Sequence, residues 1–408
     1  MNRIALNIIC KNEEHIIGNL LASVRSVVDL VVAVDTGSAD DTIAKIRAFG
    51  INNRLPTYVF ERKFDNFCNS RNYAIDKLIE VVQQLDWVPG EVWGLSIDCD
   101  EVLQIAQSFS KEMLVNDLYL IGFQHKGIAS TRRSLFRVSG NFRWKNPVHE
   151  ILEWEDNGKT VTLIPALFIH CESKGGSWKK NIEKKFLKYV ELLKAHATEG
   201  HADMRTLYYI ADSYMAAAEH SKIKKRITEH RLTARGYYIQ ALDCDEKSLA
   251  NKIDAYNGLA EAKFKLKEPW PEVRSLLQQA YSLDIRNGEP IAYILRHYIE
   301  AKQWNIAYLF SLFAYRAYHG KKTNIWMAGG KIERRIYEWE MLYYHAVCSY
   351  LAGRKDDAKL LRKQLKEYGH QHADELSIKD LIRIQGSSPF YLHLKIWRQR
   401  IFGGVFRA

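Results

Sequence analysis

Short apolar runs alternate with stretches of helical spacing over the first 175 residues of the chain. Residues 30–34 form an unbroken apolar run of strand length, whereas residues 13–27 place their apolar side chains at helical spacing. The two patterns predict strands over 4–9, 30–34, 58–60, 93–97 and 163–169, and helices over 13–27, 40–49 and 70–85. We therefore expect residues 1–175 to form an α/β domain with a mostly parallel sheet covered by helices.

From about residue 176 the apolar residues follow a helical period throughout. Helices are predicted over 178–197, 203–219, 226–242, 249–266, 271–283, 290–301, 304–318, 332–352, 354–369 and 390–402. Ala346, Tyr350, Gly353 and Ala358 stand at offsets that resemble the tetratricopeptide signature. We expect residues 176–408 to form an all-α domain of stacked helix pairs similar to tetratricopeptide repeats.

Composition narrows the class of protein. The 408 residues are 47% hydrophobic and 26% charged, which is typical of a chain that buries sizeable cores. No apolar run approaches the ~18–20 residues that span a bilayer, and the apolar run at residues 4–9 is too short for a secretory signal. The six cysteines lie far apart, which is typical of a reducing compartment. We expect a cytoplasmic protein with no transmembrane segment.

The basic charge lies entirely in the second half. Residues 1–175 carry a net charge of −3 and residues 176–408 carry +14, out of +11 overall. Three basic clusters stand out: Lys179, Lys180, Lys184, Lys185 and Lys188; Lys222, Lys224, Lys225, Arg226, Arg231 and Arg235; and Lys321, Lys322, Lys331, Arg334 and Arg335. Such clusters predict either a groove for a polyanion or an ordinary solvated surface. The segment 390–406 predicts either an amphipathic membrane contact or a capping helix.

Candidate chemistry begins at the ends of two predicted strands. Asp98 and Asp100 follow the strand at 93–97, and two carboxylates at this spacing can offer oxygen ligands to Mg²⁺ or Mn²⁺. The alternative is a surface acidic turn. Asp35 ends the strand at 30–34, where ligands bind in parallel sheets, and Ser38 or Asp40 predicts a cap for the next helix.

Five segments together resemble family 2 glycosyltransferases. They are Asn7–Glu14, Val34–Thr42, Phe64–Asn72, Asp98–Glu101, and Thr131–Arg137 followed by Val148-His149-Glu150. The last segment resembles a subgroup that carries tetratricopeptide-like repeats and includes the peptide S- and O-glycosyltransferases of bacteriocins. Two departures are Lys145-Asn146-Pro147 in place of a glycine before the Val-His-Glu triplet, and Cys99 in place of a common alanine.

The resemblance implies a GT-A fold and an inverting transfer from a nucleotide-diphosphate-sugar, with UDP as the expected nucleotide. It implies a divalent metal, Mn²⁺ or Mg²⁺, held by Asp98, Asp100 and His149, and catalysis by Glu150, His149 and Asp100, with Glu150 or His149 as the base. Donor contacts are implied for Asn7, Lys11, Asn12, Glu13, Asp35, Asp65, Arg71, Asn72, Asp98, Arg133 and Arg137. For Arg71 an ion pair with Asp65 or Asp41 is the alternative, and for Glu150 an ion pair with a nearby arginine.

The acceptor is left open between a peptide or protein, a glycan and a nucleic acid. The basic second half makes a phage-type transferase acting on hydroxymethylated DNA an alternative. A second alternative is a scaffold without catalysis, in which the repeats are the working surface. Repeats of this kind also predict a homodimer.

Overall fold

The computed structural model describes residues 1–125, 127–154, 158–171, 181–245, 248–321 and 331–372. These residues form two compact units. The first unit comprises Met1–Lys126 and Ser130–Ala202, and the second comprises Gly127–Ala129 and the chain from Asp203 onward. The fold class predicted from the sequence, an α/β domain followed by an all-α helical region, is confirmed.

The first unit contains a sheet and its covering helices. Its strands are β1 (Arg3–Cys10), β2 (Leu30–Asp35), β3 (Thr57–Glu61), β4 (Val92–Leu95), β5 (Glu101–Ile105), β6 (Leu118–His125), β7 (Ile128–Arg137), β8 (Arg143–Lys145), β9 (Ile151–Glu153) and β10 (Val161–Cys171). Its helices are α1 (Ile17–Val24), α2 (Thr42–Asn53), α3 (Phe67–Gln84) and α4 (Ile182–His196).

The large sheet is mixed rather than mostly parallel as the sequence predicts. Its strand order is β3-β2-β1-β4-β7-β6-β10-β5. The first four strands are mutually parallel, β7 is antiparallel to β4, and β5 is antiparallel to β10. Helices connect the parallel strands β1, β2, β3 and β4, whereas no α-helix lies between β4 and β10 in the described part of the chain. The sheet is therefore parallel where helical crossovers occur and mixed beyond β4.

Burial of both sheet faces explains the unbroken apolar runs. All six residues of β2 are buried, and the apolar face of α1 packs Ile17, Leu20, Leu21 and Val24 against one side of the sheet. On the other side, α3 contributes Ile75, Leu78, Val81 and Val82 to a second core. Asn66 begins α3 as its N-cap, accepting a hydrogen bond from the Asn69 amide at 2.8 Å.

The second unit is built from helix pairs. They are α5 (Met204–His220), α6 (Lys224–Leu242), α7 (Leu249–Lys265), α8 (Trp270–Leu283), α9 (Glu289–Glu300), α10 (Trp304–Tyr318), α11 (Met341–Leu351) and α12 (Lys355–Gln371). Consecutive helices pack against one another, as expected for stacked repeats. The predicted helix 390–402 lies outside the described residues, as do Lys179, Lys180, Lys322 and the segment 390–406.

The predicted helix over 332–352 begins differently in the structure. Ile332 and Glu333 form a short strand, β11, that pairs with Ala129 and Ile128, and a π-helical turn at Ile336–Glu340 leads into α11. Two buried carboxylates, Glu333 and Glu340, pair here with Arg296 and Arg335, and a third, Glu289, accepts the Glu333 backbone N–H at 2.5 Å. Because buried charges need close partners, the ion pairs of Arg296 and Arg335 hold the first residues of the predicted helix in an extended conformation.

No helix among the residues that the structure describes is both long enough and apolar enough to cross a membrane.

Gly94→Ala should destabilise the first unit. Gly94 lies in β4 opposite Phe136, and a methyl group there would stand 2.5 Å from Phe136 Cζ and 2.9 Å from Leu78 Cδ2. Overpacking of this kind costs about 1–3 kcal/mol, which thermal or urea unfolding of the variant would measure. The matched control is Gly18→Ala in α1, where no atom lies within 4 Å, and it should be neutral or slightly stabilising. An unchanged stability for Gly94→Ala would contradict the packing described for β4.

Candidate functional site

The loops that follow β1 and β2 are tied to each other. We call the edge where β1, β2 and β4 end, at Cys10, Asp35 and Leu95, the carboxyl edge. Asn12 donates its backbone N–H to Ser38 Oγ at 3.0 Å and accepts the Ala39 N–H at 2.8 Å. Further along, the Glu13 N–H donates to Thr42 Oγ1 at 2.8 Å. These bonds make the two loops one wall of the carboxyl edge.

Asp35 stabilises its own turn. Its carboxylate accepts the Ser38 hydroxyl at 2.6 Å, the Ser38 amide at 3.0 Å and the Gly37 amide at 3.3 Å. Gly37 has φ +103°, a conformation that favours glycine. A Cβ atom at this position would point toward Lys11 Nζ. The N-cap residue of α2 is Asp41, so the prediction of Ser38 or Asp40 at that position is wrong, although Asp40 accepts the Thr42 amide at 3.1 Å. The turn holds Asp35 at the carboxyl edge with 6% of its surface exposed.

Four charged side chains form a continuous series beyond the end of β4. Asp98 accepts a close hydrogen bond from Arg71 Nη2 of α3, and its other oxygen lies 3.8 Å from Arg132 Nη1 of β7. Arg132 also pairs with Glu101, with 2.7 Å between Nη1 and Oε1. Glu101 in turn accepts the Asp98 backbone N–H at 2.7 Å. We call Arg71, Asp98, Arg132 and Glu101 the ion-pair chain.

The ion-pair chain gives Arg71 a different partner from the two carboxylates that the sequence suggested. The guanidinium group pairs with Asp98 and with neither Asp65 nor Asp41. It lies over the Trp144 ring, 5.1 Å from the ring centroid, and only 11% of its side-chain surface is exposed. Arg71 therefore links α3 to the turn after β4 that carries the two aspartates.

The segment that leads to His149 and Glu150 is anchored to α3. Asn72 accepts the Trp144 N–H at 2.8 Å and donates to the Trp144 carbonyl at 3.0 Å. Two left-handed residues follow, Asn146 with φ +69° and His149 with φ +54°. Non-glycine residues adopt this conformation rarely, and such strain often accompanies functional sites. The bends bring Glu150 to the neighbourhood of Arg71 and Asp98.

The carboxylates of the site differ in the direction in which the pKa of each is shifted. Burial raises the pKa of Glu150, and the positive charge of Arg71 offsets part of that rise. Burial also raises the pKa of Glu101, against the opposing effect of Arg132. For Asp98, burial acts in the same direction, but Arg71 and Arg132 outweigh it and lower its pKa. Asp98 is thus held ionised, whereas Glu150 has a greater affinity for a proton than Asp98 has.

The three predicted metal ligands do not assemble as a protein-only metal site. Among the described residues no group of three or more His, Cys, Asp or Glu side chains is arranged to hold a metal ion. Asp98 is engaged by two arginines, and the His149 ring contacts Tyr189. Asp100 lies beside Cys171, 3.9 Å from Sγ to Oδ2. Mg²⁺ often binds through one or two carboxylates together with substrate phosphates, so a metal ion shared with a substrate would not need all three ligands from the protein.

Several residues predicted to contact the donor lie elsewhere. Asn7 donates to the Ala74 carbonyl of α3 at 2.8 Å, inside the core. Arg133 donates to the Leu152 carbonyl at 2.8 Å and stacks on Trp154. Arg137 pairs with Trp93 at the opposite end of β4, where it donates to the Gly90 carbonyl at 2.6 Å. Asn7 and Arg137 thus have structural partners away from the carboxyl edge, whereas Arg133 lies level with the end of β4 and is bonded to the strand that follows Glu150.

Asp65 stabilises the turn before α3. It accepts the Asn66 amide and the Asn69 side chain, both at 2.7 Å, and pairs with Arg62 at 3.1 Å. It is not part of the ion-pair chain.

Sequence reasoning missed Arg132 and Glu101 as members of the site. Both lie within the motif segments, but the resemblance implied Arg133 and Arg137 as donor contacts instead. Strand alternation is the signal that separates them, because adjacent residues of β7 face opposite sides of the sheet. With Arg132 facing Asp98, Arg133 has to point the other way.

Comparisons with known proteins find remote likenesses in structure. No family model and no curated protein matches the chain. Among solved structures, residues 1–349 of TarS from S. aureus in complex with UDP-GlcNAc share 12% identity at a TM-score of 0.36, covering 65% of this chain and 92% of that one. Full TarS shares 12% identity at a TM-score of 0.31, covering 69% and 53%. MamA protein shares 16% identity at a TM-score of 0.34, covering 49% and 92%.

Arg132→Met should destabilise the first unit by about 3 kcal/mol. Glu101 is only 2% exposed, and the substitution leaves its charge without its main counter-charge. Chemical denaturation at several pH values would measure the effect. The deficit should be full at neutral pH and shrink as the pH falls through the raised pKa of Glu101, because a protonated carboxyl needs no counter-ion.

Two further variants test the same interpretation. Arg132→Met combined with Glu101→Gln should cost less than Arg132→Met alone, since no buried charge is then left. Arg143→Met is the matched control, because its partner Asp76 is half exposed and such surface pairs contribute only about 0–1 kcal/mol. Equal losses for Arg132→Met and Arg143→Met would show that the ion-pair chain does not stabilise the fold.

Proposed function

We propose that the chain is an inverting glycosyltransferase that moves a sugar from a nucleotide-diphosphate donor, preferably a UDP-sugar, to a macromolecular acceptor in the cytoplasm. One observation carries the proposal. The segments that resemble family 2 glycosyltransferases lie far apart in sequence, yet Asn12, Asp35, Arg71 and Asp98 lie around the ends of the parallel strands β1, β2 and β4, and the pKa of Glu150 responds to the charges of Arg71 and Asp98. In sheets of this kind ligands bind at the carboxyl ends of the strands.

The nucleoside would lie against the wall made by the loops after β1 and β2. Asp35 is buried at the end of β2, with its carboxylate oriented by the Gly37 and Ser38 amides. Lys11 stands beside Gly37 on the neighbouring loop and supplies a positive charge to that wall. The diphosphate would then extend toward the tip of β4, where Asp98 and Asp100 follow the strand.

The leaving group of the reaction is a nucleoside diphosphate, so negative charge develops on its β-phosphate as the bond to the anomeric carbon breaks. The ion-pair chain balances Arg71 and Arg132 against Asp98 and Glu101 and therefore leaves little spare positive charge. A divalent ion held by Asp100 and the diphosphate would supply the missing charge. Asp98 is then a positioning residue that holds the strand tip through Arg71 and Arg132.

Glu150 is the proposed base. The acceptor hydroxyl or thiol attacks the anomeric carbon, its proton passes to a Glu150 carboxylate oxygen, and the nucleoside diphosphate leaves with the bonding electrons. A base is most effective when its pKa lies near the working pH, and burial moves the pKa of Glu150 in that direction. His149 adjoins it, in edge contact with Tyr189, and is the second residue of the catalytic pair.

The acceptor proposed is a peptide, a protein or a glycan. Among the described residues, the basic clusters divide between the two units and several of their side chains are paired inside the fold, which supports this choice over DNA. Lys184, Lys185 and Lys188 lie on α4 in the first unit. Arg334 and Arg335 are paired with Glu338 and Glu333 inside the second unit, where Lys331 pairs with Asp212. Lys224, Lys225 and Arg226 are exposed at the start of α6, and we take them as part of its solvated surface.

Glu150→Gln should reduce the transfer rate by about 10²–10⁴-fold with the affinity for UDP retained, because the variant keeps the side-chain shape and loses the base. The kcat/KM of the native protein should fall as the pH drops through the pKa of Glu150, which lies above the ordinary 4.5, and this acid limb should be absent from the variant. Steady-state transfer assays over a range of pH and calorimetric UDP binding would measure both effects.

Glu153→Gln provides the matched control, since Glu153 is an exposed carboxylate on the strand that follows Glu150. It should leave both rate and pH profile unchanged. A Glu150→Gln variant with native turnover would contradict the assignment of the base. Absence of both transfer and donor hydrolysis in the native protein, over all nucleotide sugars, would favour the non-catalytic scaffold.

Asp100→Ala should abolish transfer while leaving the thermal unfolding midpoint close to that of the native protein. Asp100 lies outside the ion-pair chain, so its loss removes the proposed carboxylate for a shared divalent ion without breaking the pairs that stabilise the strand tip. Activity should be measured with Mn²⁺, with Mg²⁺ and after chelation. Undiminished turnover by the variant with metal chelated would rule out this part of the mechanism.

A further inference from the structure

The helix α4 belongs to the first unit, although its sequence follows the catalytic segments. The chain from Ser130 to Ala202 clusters with the sheet, and α4 spans Ile182–His196 within that range. Phe186, Val190 and Leu193 are its buried residues and define the face that packs inward. A helix that the periodicity assigned to the helical repeats is thus a part of the unit that carries the proposed active site.

Tyr189 of α4 contacts the turn that carries the proposed catalytic pair. Its ring meets the His149 ring edge-to-face, with centroids 5.7 Å apart and an interplanar angle of 85°. The Phe186 ring supports Tyr189 from the same helix at 5.9 Å, again edge-to-face. Contacts of this geometry are favourable for aromatic rings and specify their relative orientation. The His149 side chain is therefore held against a rigid aromatic pair.

The turn at His149 needs such support. His149 has φ +54°, which costs a non-glycine residue free energy and persists only where the surroundings hold it. On the N-terminal side, Asn72 fixes the backbone at Trp144. Tyr189 is a side chain from a different element that contacts the turn at His149 itself. The two contacts bracket the segment that places Glu150 near Arg71.

The electrostatics of Tyr189 agree with a place beside the site. Burial, and after it the negative charges of Glu150 and Asp98, raise the pKa of the Tyr189 phenol. The ring contact with His149 is the geometry that ties Tyr189 to the turn.

We propose that Tyr189 is a positioning residue whose ring holds the His149–Glu150 turn in the conformation that directs Glu150 toward the acceptor, so that α4 completes the active site. This inference rests on the proposed transferase function. A small displacement of a base from its productive position lowers the rate steeply, whereas a nucleotide bound at the other end of the site is unaffected. The rival interpretation is that Tyr189 only contributes to the stability of the unit.

The test uses the full chain with Tyr189→Ala and Tyr189→Phe. Tyr189→Ala should lower kcat at least about 10-fold, with the KM for the donor and the affinity for UDP unchanged. Tyr189→Phe keeps the ring and should restore most of the rate. Tyr58→Ala is the matched control, because it removes a half-buried tyrosine from β3 in the same unit and away from the His149 turn. Its kcat should equal that of the native protein.

A spectroscopic measurement separates positioning from stability. The ring of Tyr189 shifts the NMR resonance of the His149 Cε1–H group, which a His149→Gln variant would assign among the 14 histidines. That shift should be lost in Tyr189→Ala and kept in Tyr189→Phe. Native kcat in Tyr189→Ala would overturn the proposal, as would a loss of UDP affinity equal to the loss of rate. A native protein inactive on every donor would contradict the transferase function instead, and the His149 resonance would then decide the Tyr189 contact alone.

Discussion

The ion-pair chain is the interaction on which the site depends. Asp98 lies between two guanidinium groups, one from α3 and one from β7, and Glu101 completes the series from the start of β5. Removing any member leaves a charge that is partly or wholly withdrawn from water without its partner, which costs more than the pair contributes. Three elements, α3, β5 and β7, are for this reason fixed around the tip of β4, whichever ligand the site receives.

The same constraint explains why the two aspartates at the tip differ. They are two residues apart and follow one strand, yet Asp98 is turned toward Arg71 and Arg132 while Asp100 lies beside Cys171. Arginine suits the first position because its planar group engages a carboxylate in fixed geometry. One aspartate therefore maintains the shape of the tip and the other lies outside that series, which is a division of roles that the two-carboxylate spacing does not reveal by itself.

Sequence reasoning predicted the parallel half of the sheet well, because β1 to β4 are buried on both faces or separated by clear helical periods. It predicted the antiparallel half poorly. Residues 101–153 form β5 to β9, but these strands are interrupted by polar residues, and their apolar content is uneven.

The residues of the site were also predicted unevenly from the sequence. Asp98, Asp35 and Glu150 were found from strand ends and motifs, whereas the partner of Arg71 could not be, since strand order decides which distant carboxylate comes within reach.

Local periodicity also cannot tell which core a helix joins. The apolar spacing of α4 is as good as that of the helices after it, so sequence assigned it to the repeats, yet Phe186, Val190 and Leu193 belong to the first unit. The sequence also cannot tell which basic residues a partner would meet. The lysines and arginines of the basic second half of the chain divide between the two units. Some of them, such as Lys331 beside Asp212 and Arg296 beside Glu340, neutralise carboxylates inside the fold. An internal ion pair adds nothing to the net charge, but it removes a lysine or arginine from the side chains that a partner could contact. A count of basic residues along a segment therefore overstates its basic surface, and such a segment indicates a binding surface only after its internally paired residues have been set aside.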